Sequence, residues 1–325
     1  MSALQQSTEA PPNLVVLAGS AHPALGSLVA RELGLRLGGS RTSRFPDGEI
    51  KVEIDDHEVA GEDVAIVQPT PSGSDALLEL LLIADACHRV GAATIFAIVP
   101  YFGYARQDAR KHAGLPLGVR VAAKVLAAAP FERLVTVDPH SDVLAASLEM
   151  PMDSLSAVPL LVEALEAELS ERDRNLVVVA PDLGAMRLAR EYARLLRVPM
   201  AVVHKVRTSG TQVSVERIAG DVQGRQALIV DDMISTGGTV VAAARALRNA
   251  GIQGELLVAA THAVFSPGVI DRLREADVRR IFCTDTIASS LSGPDATVVS
   301  VAPLLATCIR TTTTRRRRAH FVLHP

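Results

Sequence analysis

The stretch Ala227 to Thr239 reads ALIVDDMISTGGT, and few architectures accommodate that order. Ala227, Leu228, Ile229 and Val230 form an uncharged apolar run, the pattern of a strand buried on both faces. The run stops at the acidic pair Asp231 and Asp232, which predicts the strand's end at Val230. Ser235, Thr236, Gly237, Gly238 and Thr239 follow, small, hydroxylic and glycine-rich. From Val240 to Asn249 the residues Val240, Val241, Ala244 and Leu247 share one helical face, and Gly251 supplies a stop. Strand, acidic pair, hydroxyl-glycine loop and helix suit a phosphorylated sugar. Adjacent glycines let several backbone N–H groups turn toward one phosphate, and a helix N-terminus adds partial positive charge. Ser235, Thr236 and Thr239 can donate O–H bonds to the same group. Asp231 and Asp232 suit ribose hydroxyls, or a cation bridging the sugar to a diphosphate. The Walker pattern is absent and no G-x-G-x-x-G follows a strand, so the loop is not a nucleotide P-loop.

Similar apolar runs recur along the chain: Leu14–Ala18, Val64–Val67, Thr94–Val99, Leu134–Val137, Leu176–Ala180, Met200–Val203, Leu256–Ala260 and Arg280–Cys283. Segments of helical period lie between most of them. Ala76, Leu77, Leu80, Leu81, Ala84 and Cys87 make one such stripe, capped at Ser74 or Asp75 and stopped at Gly91. Strands alternating with helices predict an α/β fold with parallel, doubly wound sheets. The strands fall into two sets, divided near residues 150–156. Each set has a strand ending in an acidic turn, at Asp138 in the first and at Asp231 in the second, so two similar halves are expected.

A chain of 325 residues, 48% hydrophobic, is ample for two cores. The net charge of −3 and an aromatic content of 3% argue against a nucleic-acid partner. Cys87, Cys283 and Cys308 are far apart and form no C-x-x-C, so neither a zinc site nor a disulfide framework is indicated. No secretory n-region or h-region opens the sequence, and no apolar segment reaches transmembrane length. A cytoplasmic protein without a membrane partner is expected.

Other polar stretches stand out. Arg44 to Glu49 reads RFPDGE; taken alone, its Asp-Gly step is a tight turn at a hairpin tip. Tyr101 to Asp108 reads YFGYARQD and follows a strand, where α/β folds bind ligands. Arg106 offers a planar cation to phosphate or base, and Gln107 can bond an adenine edge. His140 lies just beyond the strand at Leu134–Val137, and Asp182 in the turn after Leu176–Ala180. One imidazole and one carboxylate, completed by phosphate oxygens and water, make a site for Mg²⁺ when nucleotide is present. Lys205 and Arg207 follow the strand at Met200–Val203 and lead into a polar loop, Thr208 to Gln212. Lysine is rare in a chain that otherwise uses arginine, which marks Lys205 as a compact, reorientable ammonium.

VDDMISTGGT resembles the phosphoribosyl-diphosphate-binding motif shared by type I phosphoribosyltransferases and ribose-phosphate diphosphokinases. PYFGYARQD and RFPDGE are similar to the diphosphokinases and speak against a phosphoribosyltransferase. The resemblance spans roughly residues 14 to 310 through motifs in the same order. It implies two phosphoribosyltransferase type I-like domains, 14–150 on the ATP side and 151–310 carrying the sugar loop, with loose tails at 1–13 and 311–325. It implies transfer of a diphosphoryl group from Mg-ATP to ribose 5-phosphate. Phe45, Asp47, Gly48, Glu49, Arg106 and Gln107 would then bind ATP, and His140 and Asp182 Mg²⁺. Arg207, Asp231, Asp232, Ser235, Thr236, Gly237, Gly238 and Thr239 would bind the sugar phosphate, and Lys205 and Arg207 would be catalytic. In that family the 45–49 loop serves a neighbouring subunit, which implies a homo-oligomer, dimer or hexamer. A non-catalytic regulatory relative is the other reading, and the presence of Lys205 and Arg207 tells against it. The chain departs from the phosphate-activated members at Ser235, where they carry Asp, and at Ala113, Gly114 and Leu115. That departure implies activity without inorganic phosphate.

Overall fold

The computed structural model describes residues 13–71, 75–110, 112–169, 175–207, 214–289, 291, 293 and 295–323. Two compact units are formed; one runs to Leu155 and resumes at Val301, and the other is Ser156–Ser300.

In the first unit, β1 (Leu14–Ala18) leads through α1 (Pro23–Glu32) to a two-stranded antiparallel arm, β2 (Ser40–Arg44) and β3 (Ile50–Ile54). Then come α2 (Asp56–Val59), β4 (Asp63–Val67), α3 (Ala76–Arg89), β5 (Thr94–Ile98), α4 (Gly118–Leu126), β6 (Arg133–Val137), α5 (Val143–Ser147) and β7 (Met152–Leu155). The main sheet is parallel, ordered β1-β4-β5-β6-β7. On the open side of β1, Leu37 forms a single parallel bridge to Val16. Ile66, Ala97 and Leu134 of the sheet bury against Leu80 and Ile83 of α3 and Leu126 of α4. All six are buried to completion, the arrangement that lets strands read as unbroken apolar runs.

The second unit comprises α6 (Val158–Glu168), β8 (Leu176–Ala180), α7 (Met186–Leu196), β9 (Met200–Arg207), β10 (Ser214–Ala219), β11 (Gln226–Ile234), α8 (Gly238–Asn249), β12 (Leu256–Ala263), α9 (Val269–Glu275), β13 (Val278–Thr284) and β14 (Ala296–Val299). Its sheet runs β10-β9-β8-β11-β12-β13-β14, parallel except for the β9–β10 hairpin. Side chains alternate between two cores, as a strand's period of two requires. Ile229 and Val258 pack with Val240, Leu247 and Leu273 on one face. Leu228, Val230 and Leu257 pack with Leu161, Tyr192 and Phe282 on the other. The strand order reverses between β8 and β11, so the sheet is doubly wound.

The two units share one plan. β1, α1, the Leu37 bridge, the arm, β4 and α3 repeat β8, α7, β9, the β9–β10 hairpin, β11 and α8. In the second unit α6 packs beside α7. In the first unit the corresponding place beside α1 is taken by α10 (Ala302–Leu323), with Arg310 donating to the Glu32 carbonyl at 3.0 Å. This differs from the expected loose tail after residue 310. Threonine runs have poor helix propensity, but here the hydroxyls of Thr307, Thr311, Thr313 and Thr314 each donate to the carbonyl four residues back. Leu305, Ile309 and Thr313 are buried, and that packing outweighs the propensity. The division of the chain also lies a few residues past the expected 150/151, because β7 still pairs with β6.

Candidate active site

β8 and β11 pair only from Leu176↔Gln226 to Val179↔Ile229. Beyond Ile229, β11 pairs among the described residues with β12 alone, through Val230↔Ala259, Asp231↔Ala260, Met233↔His262 and Ile234↔Ala263. A crevice therefore opens beside β11 at the carboxyl end of the sheet, where the strand order reverses and α/β folds bind ligands. The strand does not stop at Val230 as its apolar run suggests; pairing with β12 carries it through the acidic pair to Ile234.

That extension holds Asp231 and Asp232 half-buried on rigid backbone. The Asp232 N–H donates to Asp231 Oδ1 at 3.0 Å. Burial first, then the Asp232 and Asp182 carboxylates, push the Asp231 carboxyl up to about 8. Asp182 is thus in the same electrostatic cluster. It is exposed in the turn after β8, and its Oδ1 accepts the Ala185 N–H at 3.2 Å.

The hydroxyl-glycine loop starts where β11 ends. The Ser235 carbonyl accepts both the N–H of Ser266 at 3.1 Å and its hydroxyl at 3.2 Å. Gly237 has φ +75°, the left-handed region, and a Cβ there would lie 2.9 Å from Val269 Cγ2. Both facts exclude a side chain at 237. Gly237 is also the N-cap of α8 and has no side chain to cap it; the Gly238 N–H makes a long contact to the Thr236 hydroxyl at 3.5 Å, and this first turn is the kind of helix start that binds anions. Thr236, Gly238 and Thr239 are exposed beside them. Ser266 was not singled out by sequence; the Ser-Pro-Gly turn before α9 was the available signal.

Lys205 and Arg207 lie within β9 rather than after it, opposite Glu216 and Ser214 of β10. Antiparallel pairing extends the strand past the apolar run that ended at Val203. The side chains of both, and the loop at 208–212, lie outside the described residues.

In the first unit, Phe45 to Glu49 closes the β2–β3 arm. Phe45 N–H donates to the Glu49 carbonyl and Gly48 N–H to the Phe45 carbonyl, both at 2.9 Å, and Glu49 N–H donates to Asp47 Oδ1 at 3.1 Å. Gly48 has φ +97°, and its carbonyl accepts from Arg44 Nη1 at 2.7 Å. On this braced turn Phe45 is 48% exposed, an aromatic face held in solvent. Arg106 and Gln107 are exposed in the loop after β5. Gln107 is tied by its N–H to the Tyr104 carbonyl at 3.0 Å and by its carbonyl to Val119 N–H at 3.3 Å. His140 is exposed beyond β6. The structure thus groups Asp182, Asp231, Asp232 and Ser235 to Thr239 in the second unit. It carries Phe45, Asp47, Gly48, Glu49, Arg106, Gln107 and His140 on the first.

Residues 14–129 match the N-terminal domain of ribose phosphate pyrophosphokinase, and residues 152–294 match a phosphoribosyl transferase domain. The chain is 39% identical over 303 residues to the ribose-phosphate pyrophosphokinase of Chromobacterium violaceum, across 92% of this chain and 91% of that one. It belongs to the ribose-phosphate pyrophosphokinase family. Another ribose-phosphate pyrophosphokinase, from Burkholderia pseudomallei, is 39% identical over 298 residues, 90% of this chain and 92% of its own. Among solved structures, the phosphoribosylpyrophosphate synthetase of Mycobacterium smegmatis is 36% identical with a TM-score of 0.85, covering 93% of this chain and 99% of that one. The paired doubly wound sheets of this pyrophosphokinase-family chain are therefore the fold of that synthetase. No helix among the described residues is long and apolar enough to cross a membrane.

Proposed function

We propose that the protein is a cytoplasmic, homo-oligomeric ribose-phosphate pyrophosphokinase. It transfers the β,γ-diphosphoryl group of Mg-ATP to the C1 hydroxyl of ribose 5-phosphate, giving 5-phosphoribosyl 1-diphosphate and AMP. The observation that carries the reading is the glycine-capped first turn of α8 beside an acidic pair at the switch point, in a chain that matches the family through both halves. The new bond joins the C1 oxygen to the β-phosphorus, and the bridge between the α- and β-phosphates breaks, its oxygen leaving with AMP. Such chemistry needs positioning and charge neutralisation more than covalent help from the protein. Thr236 and Thr239 hydroxyls and the 235–239 N–H groups hold the 5-phosphate, with Arg207 adding a cation. Asp231 and Asp232 accept from the ribose hydroxyls and so orient the C1 oxygen. Phe45 stacks on the base while Asp47, Gly48 and Glu49 read its edge, and Arg106 and Gln107 complete the nucleotide site. Lys205 and Arg207 stabilise charge on the transferring group.

The oxygen donors of the acidic cluster suit a hard cation, and the mutual repulsion at Asp231 is what such a charge relieves. Among the described residues no three His, Cys, Asp or Glu side chains stand ready to hold a metal. Mg²⁺ keeps waters and substrate phosphates as ligands and so needs few protein groups. His140 of the first unit would offer Mg²⁺ an imidazole and Asp182 of the second a carboxylate, and the ion would supply neutralisation of phosphate charge.

The test is product analysis with ATP, ribose 5-phosphate and Mg²⁺ in phosphate-free buffer. AMP and phosphoribosyl diphosphate should form in equal amounts, and absence of both sinks the reading. Adding phosphate at constant ionic strength should change kcat by less than about twofold, since Ala113, Gly114 and Leu115 offer no side-chain donors for a regulatory anion. A saturable several-fold rise would place the protein with phosphate-activated enzymes.

A second expectation concerns Gly118 at the start of α4. A Cβ there would lie 2.6 Å from Gln107 Oε1 and 2.9 Å from Gln107 Cβ. Gly118→Ala should leave folding intact and displace Gln107, raising KM for ATP by about three- to tenfold. An unchanged KM would remove Gln107 from the nucleotide site.

A further inference from the structure

The first unit has its own switch-point crevice, between β1 and β4, and a carboxylate fills it. Ser20 stands two residues past the end of β1, as Asp182 stands two past the end of β8. Gln68 follows Val67 of β4 as Asp231 follows Val230 of β11. Into this place Glu79 enters from the first turn of α3, only 2% exposed. Its Oε1 accepts the Ser20 N–H at 2.7 Å and the Thr42 hydroxyl at 2.6 Å. Its Oε2 accepts the Ser20 hydroxyl at 2.6 Å and Gln68 Nε2 at 2.8 Å. Gln68 is itself fixed, with Oε1 accepting the Ala21 N–H at 3.1 Å. Gly19 leaves the room this needs, since a Cβ there would lie 2.3 Å from Gln68 Oε1.

Three of the four donors belong to the strand-end loops of the main sheet. The fourth, Thr42, belongs to β2 of the arm. A two-stranded arm is weakly stable by itself, so its direction depends on what ties it down. The Arg44–Asp75 pair at 2.9 Å is exposed on both sides and holds little. Val52 and Ile54 of β3 pack on the core without directional bonds. The Ser40 hydroxyl, donating to the Ala18 carbonyl at 2.9 Å, ties the arm's base. Beyond the exposed Arg44–Asp75 pair, Thr42 is the hydrogen-bonded tie farthest along the arm, about 10 Å of strand from Phe45. A tilt of about 6° there moves the tip by about 1 Å, enough to matter for ligand geometry.

We propose that Glu79 is a positioning residue for the nucleotide loop: its buried carboxylate locks the β2–β3 arm to the sheet through Thr42 and so sets how Phe45 to Glu49 are presented. This rests on the reading of that loop as the base-recognition element. The crevice that holds the sugar in one half of the molecule is, in the other half, an anchor. Thr42→Val keeps the shape of the side chain and removes only the arm's bond to Glu79.

The experiment compares Thr42→Val, Thr42→Ser, Glu79→Gln and Phe45→Ala by steady-state kinetics in both substrates, with melting temperature as a folding control. Calorimetric titration with a non-hydrolysable ATP analogue gives a binding readout independent of turnover. Thr42→Val should raise KM for ATP and the analogue's Kd by about fivefold or more, with KM for ribose 5-phosphate and kcat within about twofold. Thr42→Ser should restore both constants to within about twofold of the parent. Glu79→Gln, which keeps the buried volume, should shift the ATP constants the same way and decides the matter if Thr42→Val does not fold. A lowered melting temperature with unchanged ATP constants would make the network structural only and overturn the proposal. If Phe45→Ala also leaves those constants unchanged, the loop does not read the base, and the underlying assignment falls instead.

Discussion

Lys205→Ala is expected to lower kcat by at least about two orders of magnitude, the scale of one lost transition-state charge contact. KM for ribose 5-phosphate should stay within about threefold, because the 235–239 loop and the acidic pair supply ground-state binding. The expectation rests on chemistry and on placement. Only Lys51, Lys111, Lys124 and Lys205 are lysine among 33 basic Lys and Arg residues. An ammonium on a flexible stem can follow a group that moves between two oxygens, which a planar guanidinium does less well. Lys205 sits toward the end of β9, in the hairpin that leaves the sheet next to β8, the strand preceding Asp182. Lys205→Arg should therefore recover only part of the loss. Single-turnover measurement at saturating ATP checks this directly. Near-normal turnover in the alanine variant would reduce Lys205 to a solvated strand residue.

The parts of the site that sequence reveals are those that are contiguous. Asp231 to Thr239 carries strand, acids, loop and helix start in one stretch, and the structure keeps that order. The starts of the apolar strands were legible to within two residues, because apolar runs begin sharply after turns. Strand ends were legible where pairing stops with the apolar run, as at Ala18, Val67, Val137 and Ala180, and not where it continues. β11 continues through Asp231 to Ile234 and β9 through Arg207, since backbone pairing with β12 and β10 sustains them where side-chain pattern has ceased. β2 reads Ser-Arg-Thr-Ser-Arg, with no apolar alternation, and only the Asp-Gly turn hinted at its arm. Glu79 looks like an ordinary helix-surface acid in sequence. Its burial depends on Ser20, Thr42 and Gln68, which topology alone brings to it. Asp182 joins Asp231 for the same reason, through the adjacency of β8 and β11.

Asp231→Asn should uncouple stability from activity. The amide keeps the size of the side chain and can still accept the Asp232 N–H, but it removes a charge that burial and two neighbouring carboxylates oppose. In metal-free buffer at alkaline pH the variant should melt a few degrees above the parent. The sign follows from the raised pKa. A carboxyl whose folded-state value lies above its unfolded one destabilises the fold when ionised, fully above about 8 and not at all below about 4. The gain from Asn should therefore be largest near pH 9 and vanish near pH 4, in the range set by those two values. Ribose 5-phosphate binding should move the other way. A hydroxyl bond to a carboxylate is worth about 1.5–3 kcal/mol, so its replacement by a neutral acceptor should raise KM for the sugar about tenfold or more. Melting curves across pH, paired with sugar-phosphate kinetics at one pH, test both halves. A variant that loses stability at alkaline pH would mean that Asp231 is structurally required in its ionised form, and an unchanged KM for the sugar would mean that it does not hold the ribose. Either outcome contradicts the crevice as a site strained in the free protein and relieved by its ligand.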